Sequence, residues 1–221
     1  MRARDILSNI IMPLKPTDNG ALALNWMEDF GVTHLPVIDK DVFLGLISGS
    51  DVYGLDDLDM PLGNFKLPFK RTYVRGDVHF FEVLRMSAAE KLTLIPVLDD
   101  QSRYIGSITQ MEIIHAMAAY TSVIQPGGII VLEIGTQQYA LSEIARIVEA
   151  NDAKVLSVSI TSADNSQKLE VTVKVSVMDL SSIIQTFNRY DYIVKASFAE
   201  ESQYDTLLSE RYEALMKFLQ T

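Results

Sequence analysis

The stretch Leu35-Pro-Val-Ile-Asp-Lys-Asp-Val-Phe-Leu-Gly-Leu-Ile-Ser-Gly-Ser-Asp51 is written a second time as Ile95-Pro-Val-Leu-Asp-Asp-Gln-Ser-Arg-Tyr-Ile-Gly-Ser-Ile-Thr-Gln-Met-Glu112. Each copy reads apolar-Pro-Val-apolar-Asp, a short polar turn, then Gly-x-apolar-[Ser/Thr]-x-x-[Asp/Glu]. The offset is 60 residues between Pro36 and Pro96 and 61 between Gly45 and Gly106, so one residue is inserted at the turn, where a hairpin accepts it. Self-similarity of this kind marks a repeated supersecondary unit.

Working outward, residues 1–60 form one unit. Two prolines in Met12–Asp18 hold the chain extended. Asp18 is placed to cap a helix running to about Phe30, with Ala21, Leu22, Leu24, Trp26 and Met27 on its apolar side and Gly31 as its stop. Strands 35–38 and 42–47 and a helix from Ser48 follow. Residues 61–124 repeat the order: Thr72–Asp77 aligns with Pro13–Asp18 at an offset of 59, a helix runs from Asp77 to about Lys91, strands span 93–98 and 104–108, and a helix starts at Thr109. Asp56–Pro68, rich in Asp, Gly and Pro, joins two βαββα-like units, and one unit alone is too small to cover its sheet.

The pattern changes at Gln125-Pro-Gly-Gly128, a boundary signal. Residues 127–200 then read as strand 129–134, a helix to Asn151 with Leu141, Ile144, Ile147 and Val148 on one face, strands 154–161 and 168–177, an Asp179-capped helix, and strand 191–198. That βαββαβ order is ferredoxin-like. Residues 201–221 form a terminal amphipathic helix with Leu207, Leu208, Tyr212, Leu215, Met216 and Leu219 as its stripe. The fold class is therefore α/β (α+β).

Composition narrows the chemistry. The 221 residues are 48% hydrophobic and 22% charged, enough to bury real cores. There is no cysteine, which removes disulfides, thiolate metal sites and cysteine catalysis. A net charge of −10 repels nucleic acid and acidic membranes, and no apolar run reaches membrane-spanning length, so a cytoplasmic protein is expected. His34, His79 and His115 are scattered without a catalytic triad pattern, and no glycine-rich phosphate loop is present. His79-x-x-Glu82 and Glu112-x-x-His115 have helical metal-ligand spacing, but such pairs are common by chance. No enzyme activity, cofactor or metal is expected.

The duplicated unit resembles the CBS domain, which occurs as tandem pairs, across residues 1–121. Residues 127–198 resemble an ACT-type domain in element order and in the glycine-containing loop after the first strand. Together the arrangement is similar to the acetoin-utilisation accessory proteins. The resemblance implies a non-catalytic regulatory module in which the paired units bind AMP, ADP, ATP or S-adenosylmethionine, while the ACT-like domain supports a homodimer or transmits the signal to an unknown regulated protein.

Residue by residue, Ser48-x-x-Asp51 has two readings. The resemblance implies that Asp51 accepts the ribose hydroxyls while Ser48 and nearby N–H groups face phosphate. The spacing is equally that of a capping box. Thr109-x-x-Glu112 is the second copy, and its longer acid favours the cap. The resemblance places Thr72 beside the base, where the first copy has Pro13, and His34 at a position often basic, where the second copy has Leu94; Lys70 and Arg71 are phosphate candidates. Gly135, Gln137 and Tyr139 lie in the loop that binds amino acids in ACT relatives. The bulk of these loop side chains favours assembly over ligand binding.

Overall fold

The computed structural model describes residues 1–65, 69–162 and 167–199. It is a mixed α/β structure that divides into two compact units, Met1–Met117 and the residues from Ala118 onward. The expected helix 201–221 lies outside the described residues. Among the described residues no helix is long and apolar enough to cross a membrane.

The first unit holds both repeats. The first contributes α1 (Gly20–Asp29), β1 (His34–Asp39), β2 (Val42–Ser48) and α2 (Gly49–Tyr53). The second contributes β3 (Val74–Arg75), α3 (Phe80–Glu90), β4 (Leu94–Leu98), β5 (Tyr104–Thr109) and α4 (Gln110–Tyr120). β1 pairs antiparallel with β2, and β4 with β5, in the two hairpins of the duplicated motif. One core runs through both: Leu35, Val37 and Ile47 from the first copy and Leu94, Val97 and Ile108 from the second are all buried in it.

Ladder pairing corrects the alignment of the repeats. Leu14 bridges Val37 in parallel, as Val74 pairs with Val97. The equivalence is therefore 60, not 59, and the counterpart of Thr72 is Met12 rather than Pro13. The caps move with it. Asn19, not Asp18, caps α1, its Oδ1 accepting from Leu22 N at 2.9 Å, and His79, not Asp77, caps α3 through Nδ1 and Phe81 N at 3.2 Å. Asp18 instead closes a turn by accepting from Lys15 N at 2.7 Å. Asp179 likewise stands one residue ahead of its helix cap, Leu180, and accepts from Ser181 N at 2.9 Å. At α1 and α3 a polar side chain one or two residues beyond the expected one meets the free amide, whereas at α6 Asp179 itself does so from one position before the cap.

The segments that lead into the repeats are exchanged between them. Ala3 N and Arg4 N donate to Val78 O and Gly76 O of the second repeat, each at 3.0 Å. Leu62 N and Gly63 N donate to Asp18 O and Pro16 O of the first, each at 2.8 Å. Both segments make a short 3-10 turn, 3–6 and 62–64, and both bury a side chain completely, Ala3 and Leu62. Past these turns, Lys70 exchanges both backbone hydrogen bonds with Leu46, and Ser8 N donates to Ser107 O at 2.8 Å. Part of the Asp56–Pro68 joining segment is thus structural, since Leu58 also packs on the core.

This crossing explains the glycine of the repeated motif. Gly45 and Gly106 adopt φ of +154° and +148°, a conformation other residues rarely take. A Cβ on Gly45 would lie 2.5 Å from Phe69 Cβ and 3.2 Å from its carbonyl carbon, whereas one on Gly106 would meet only the Leu7 side chain, at 3.2 Å.

The second unit runs β6 (Ile129–Gly135), α5 (Leu141–Glu149), β7 (Val155–Ser162), β8 (Lys168–Val175), α6 (Ser181–Arg189) and β9 (Ile193–Phe198). Its antiparallel sheet has the order β7-β8-β6-β9, the split βαβ arrangement. Ile144 and Ile147 of α5 and Ile183 and Phe187 of α6 share its core with Ile130, Leu132, Val171 and Val173.

The crossing makes a graded prediction for Gly→Ala variants. Gly45→Ala combines backbone strain with a clash against main chain and should cost about 2–5 kcal/mol. Gly31→Ala, at φ +64° with nothing within 4 Å of the new Cβ, should cost only the left-handed penalty, about 1–2 kcal/mol. Gly106→Ala should fall between them. Urea unfolding measures all three, and equal losses for Gly45→Ala and Gly31→Ala would contradict the role given to the Phe69 contact.

Candidate functional site

The side chains of the repeated Ser-x-x-Asp motif meet at the start of α2. Ser48 ends β2 with extended backbone, so its amide is free to turn onto Asp51 Oδ2 at 2.9 Å. Ser48 Oγ donates to the same oxygen at 2.5 Å and accepts from Asp51 N at 3.2 Å. The result is a complete capping box. Asp51 Oδ1 accepts no hydrogen bond among the described residues. Ser48 Oγ also lies 2.8 Å from Ser50 Oγ, which offers it a second partner.

His34 stands directly across from Ser48 in the β1–β2 register. Its Nδ1 lies 3.0 Å from Thr33 Oγ1 and 3.4 Å from Thr93 Oγ1. Those two threonines meet at the junction of the repeats, with hydroxyls 3.2 Å apart and Thr33 N donating to Thr93 Oγ1 at 2.9 Å. Their carbonyls receive the first amides of the following helices, Gly49 N at 3.0 Å and Gln110 N at 3.2 Å. Both helix starts are thereby fixed to the same junction. Burial lowers the His34 imidazole below its usual 6.5; the nearby Lys70 lowers it further and the Asp51 carboxylate opposes the shift. Lys70, held against Leu46 two residues before Ser48, pairs through Nζ with Glu90 Oε2 of α3 at 2.5 Å.

The second repeat keeps the acid and the hydroxyl but neither the histidine nor the lysine. Thr109 N donates to Glu112 Oε2 at 3.0 Å and Thr109 Oγ1 donates to the same oxygen. Leu94, fully buried, stands where the first repeat has His34, and Ser8 stands where it has Lys70. Glu112 and Thr109 therefore form their own cap and do not join the Asp51 group. Thr72 is half-buried and Arg71 exposed. Among the described residues, no hydrogen bond or ion pair ties either to Ser48, Asp51 or His34.

No group of three or more metal-ligating side chains is present among the described residues. Of the helical metal-spacing pairs, Glu82 is engaged by Arg85 and Glu112 by Thr109.

In the second unit the loop after β6 splits the expected trio. Gly135 borders a cavity of about 340 Å³, Gln137 is exposed, and Tyr139 packs on the core. The cavity is lined by polar groups that the loop alone does not reveal, among them Glu133, Glu143, Lys168 and Tyr192. Tyr192 OH donates to Glu143 Oε2 at 3.2 Å, and burial followed by that contact raises the phenol above its usual range. Lys168 pairs with Glu133 at 2.5 Å and holds that carboxyl below its usual range.

No family model matches the chain. Among curated proteins it is similar to an inosine-5'-monophosphate dehydrogenase of Methanocaldococcus jannaschii, with 27% identity over 114 residues, 51% of this chain. The chain spans about a quarter of that relative, 23% of its length. Similar solved structures include a CBS domain pair/ACT domain protein of Thermotoga maritima, at 18% identity and TM-score 0.48, covering 54% of this chain and 98% of that one. CBSX2 in complex with AMP matches at 22% identity and TM-score 0.46, over 53% of this chain and 96% of its own. The cytosolic domain of the Mg2+ channel MgtE in complex with ATP matches at 20% identity and TM-score 0.44, over 52% and 48%.

The His34 environment predicts a pH dependence of stability. The folded imidazole holds its proton less tightly than the unfolded one, so the unfolded chain binds more protons just below pH 6.5. Stability is retained above that value and falls as the pH drops toward the lowered folded pKa. Urea titrations between about pH 7.5 and about pH 5 should show a shallower acid loss in His34→Gln than in the wild type; parallel losses would mean that His34 does not carry it.

Proposed function

We propose that this chain is a non-catalytic regulatory protein whose paired repeats bind an adenine nucleotide or adenosyl compound (AMP, ADP, ATP or S-adenosylmethionine) beside the start of α2. The observation that carries the reading is the placing of Asp51 with His34 and Lys70 on the first repeat alone. Asp51 Oδ1 accepts one ribose hydroxyl. Oδ2 accepts the other once Ser48 Oγ turns to Ser50, its partner 2.8 Å away. Lys70, and His34 as a neutral donor, face phosphate. Thr72 and Arg71 are assigned to the rim of the same cleft, and Thr109 with Glu112 to a second cleft with neither the histidine nor the lysine. Ligand binding favours one arrangement of the junction at Thr33 and Thr93 and so biases an unknown regulated protein.

The second unit is assigned to assembly as a cytoplasmic homodimer, with an amino acid in the Gly135 cavity as a lesser role. A strictly monomeric mass by light scattering at micromolar concentration would remove the dimer. A second functional reading, a structural interaction module without ligand, is favoured by one observation: the Ser48–Asp51 capping box is complete with protein groups alone.

Replacing Asp51 separates the two. Under the nucleotide reading, Asp51→Ala leaves both ribose hydroxyls unpaired, and charge-assisted bonds of about 1.5–3 kcal/mol translate into a fall in affinity of about 10- to 150-fold. Asp51→Asn keeps the shape and loses the charge, so it should fall between. Under the structural reading, Asp51→Ala lowers stability by about 1 kcal/mol and leaves affinities unchanged. Calorimetric titration of the four adenosyl compounds and common amino acids, with thermal unfolding alongside, reads both quantities.

A further inference from the structure

The repeat supplies its own control. Features present in both copies, the motif glycine, the capping hydroxyl and the capping acid, are those the fold needs. Lys70 and Glu90 are not among them. Lys70 is held to Leu46 through its backbone N–H and carbonyl alone, a role that needs no charged side chain. Glu90 ends α3, and at the matching end of α1 stands Phe30, half-buried on the core. Because the Lys70 backbone crosses to Leu46 of the first hairpin, the ion pair ties the edge of that hairpin to a helix of the second repeat.

Neither partner is locked by burial. The side chains are 47% and 44% exposed, so the pair is worth little to stability and exchanges readily. A phosphate oxygen offers Lys70 the same charge-assisted geometry with more negative charge than one carboxylate. Resting on the nucleotide reading above, we propose that the Lys70–Glu90 pair is a charge-exchange latch: ligand phosphate and the Glu90 carboxylate compete for the Lys70 ammonium, and phosphate binding releases the end of α3. Glu90 then lowers affinity for phosphorylated ligands only, and the release of α3 is the step by which occupancy at the first repeat reaches the second.

The test is a double-mutant cycle on the full chain, titrated with AMP and with adenosine as its phosphate-free counterpart. Glu90→Gln should raise AMP affinity up to about five-fold, the most an exposed pair of this kind withholds, and leave adenosine unchanged. Lys70→Ala should lower AMP affinity about ten-fold or more, again sparing adenosine. In the Lys70→Ala background, Glu90→Gln should have no further effect. An equal gain from Glu90→Gln with and without Lys70 would overturn the latch, since it would report only the removal of a distant negative charge. So would an equal gain for AMP and adenosine. Either result leaves nucleotide binding standing, whereas a wild type that binds neither compound overturns the nucleotide reading and the latch with it.

Discussion

The first unit depends on a backbone exchange. Leu46 and Lys70 trade two hydrogen bonds across the repeats, and Ser8 N donates a single one to Ser107 O on the other side. A two-stranded hairpin cannot bury its own face and is marginal alone. Each hairpin therefore takes a third strand from the segment before its own helix, Leu14 or Val74, and an edge from the leader that crosses over. The crossing chain needs room, and Gly45 gives it: its missing side chain is the space that Phe69 fills. Most of the motif follows from this requirement, because the glycine, the hairpin and the capped helix have to arrive together.

The same exchange places the candidate site. Thr33 and Thr93 lie where the repeats touch, and each anchors the first amide of a helix that carries a capping acid. Any group bound beside Asp51 sits within reach of this junction. A symmetric junction would yield two equal sites. The inequality comes from side chains that the fold leaves unspecified, His34 against Leu94 and Lys70 against Ser8. Lys70 and Asp51 both act electrostatically on His34, an arrangement that the second copy, with Leu94 and Ser8, does not repeat.

Much was legible from residue order. The paired hairpins and the helix starts at Ser48 and Thr109 follow from periodicity and turn chemistry. So does the common apolar face of Ile144, Ile147, Ile183 and Phe187. The misses share one cause. Asp18 and Asp77 look like caps, but Asn19 and His79 do the work, because the ladder partners of Leu14 and Val74 fix where the chain turns. Asp56–Pro68 looks like a solvated connector by composition, yet Leu62 in its middle is fully buried. Local composition cannot report a burial partner that lies in the other repeat. The Gly135 loop shows the same limit, since its cavity is shaped by Glu143, Lys168 and Tyr192 from other elements.

What the sequence determined by itself is whatever is encoded by neighbours along the chain: two hairpins with hydroxyl–acid caps, a βαββαβ unit after them, a cysteine-free acidic composition. Those features are local, set by turn geometry, side-chain period and capping, all spanning a few residues. Tertiary structure alone decided the 60-residue register, the exchange of the leading segments and the joining of Lys70 to Glu90 across 20 positions. These depend on which backbone edge is left unpaired once each hairpin has formed, and an unpaired edge is satisfied by whatever segment reaches it in space.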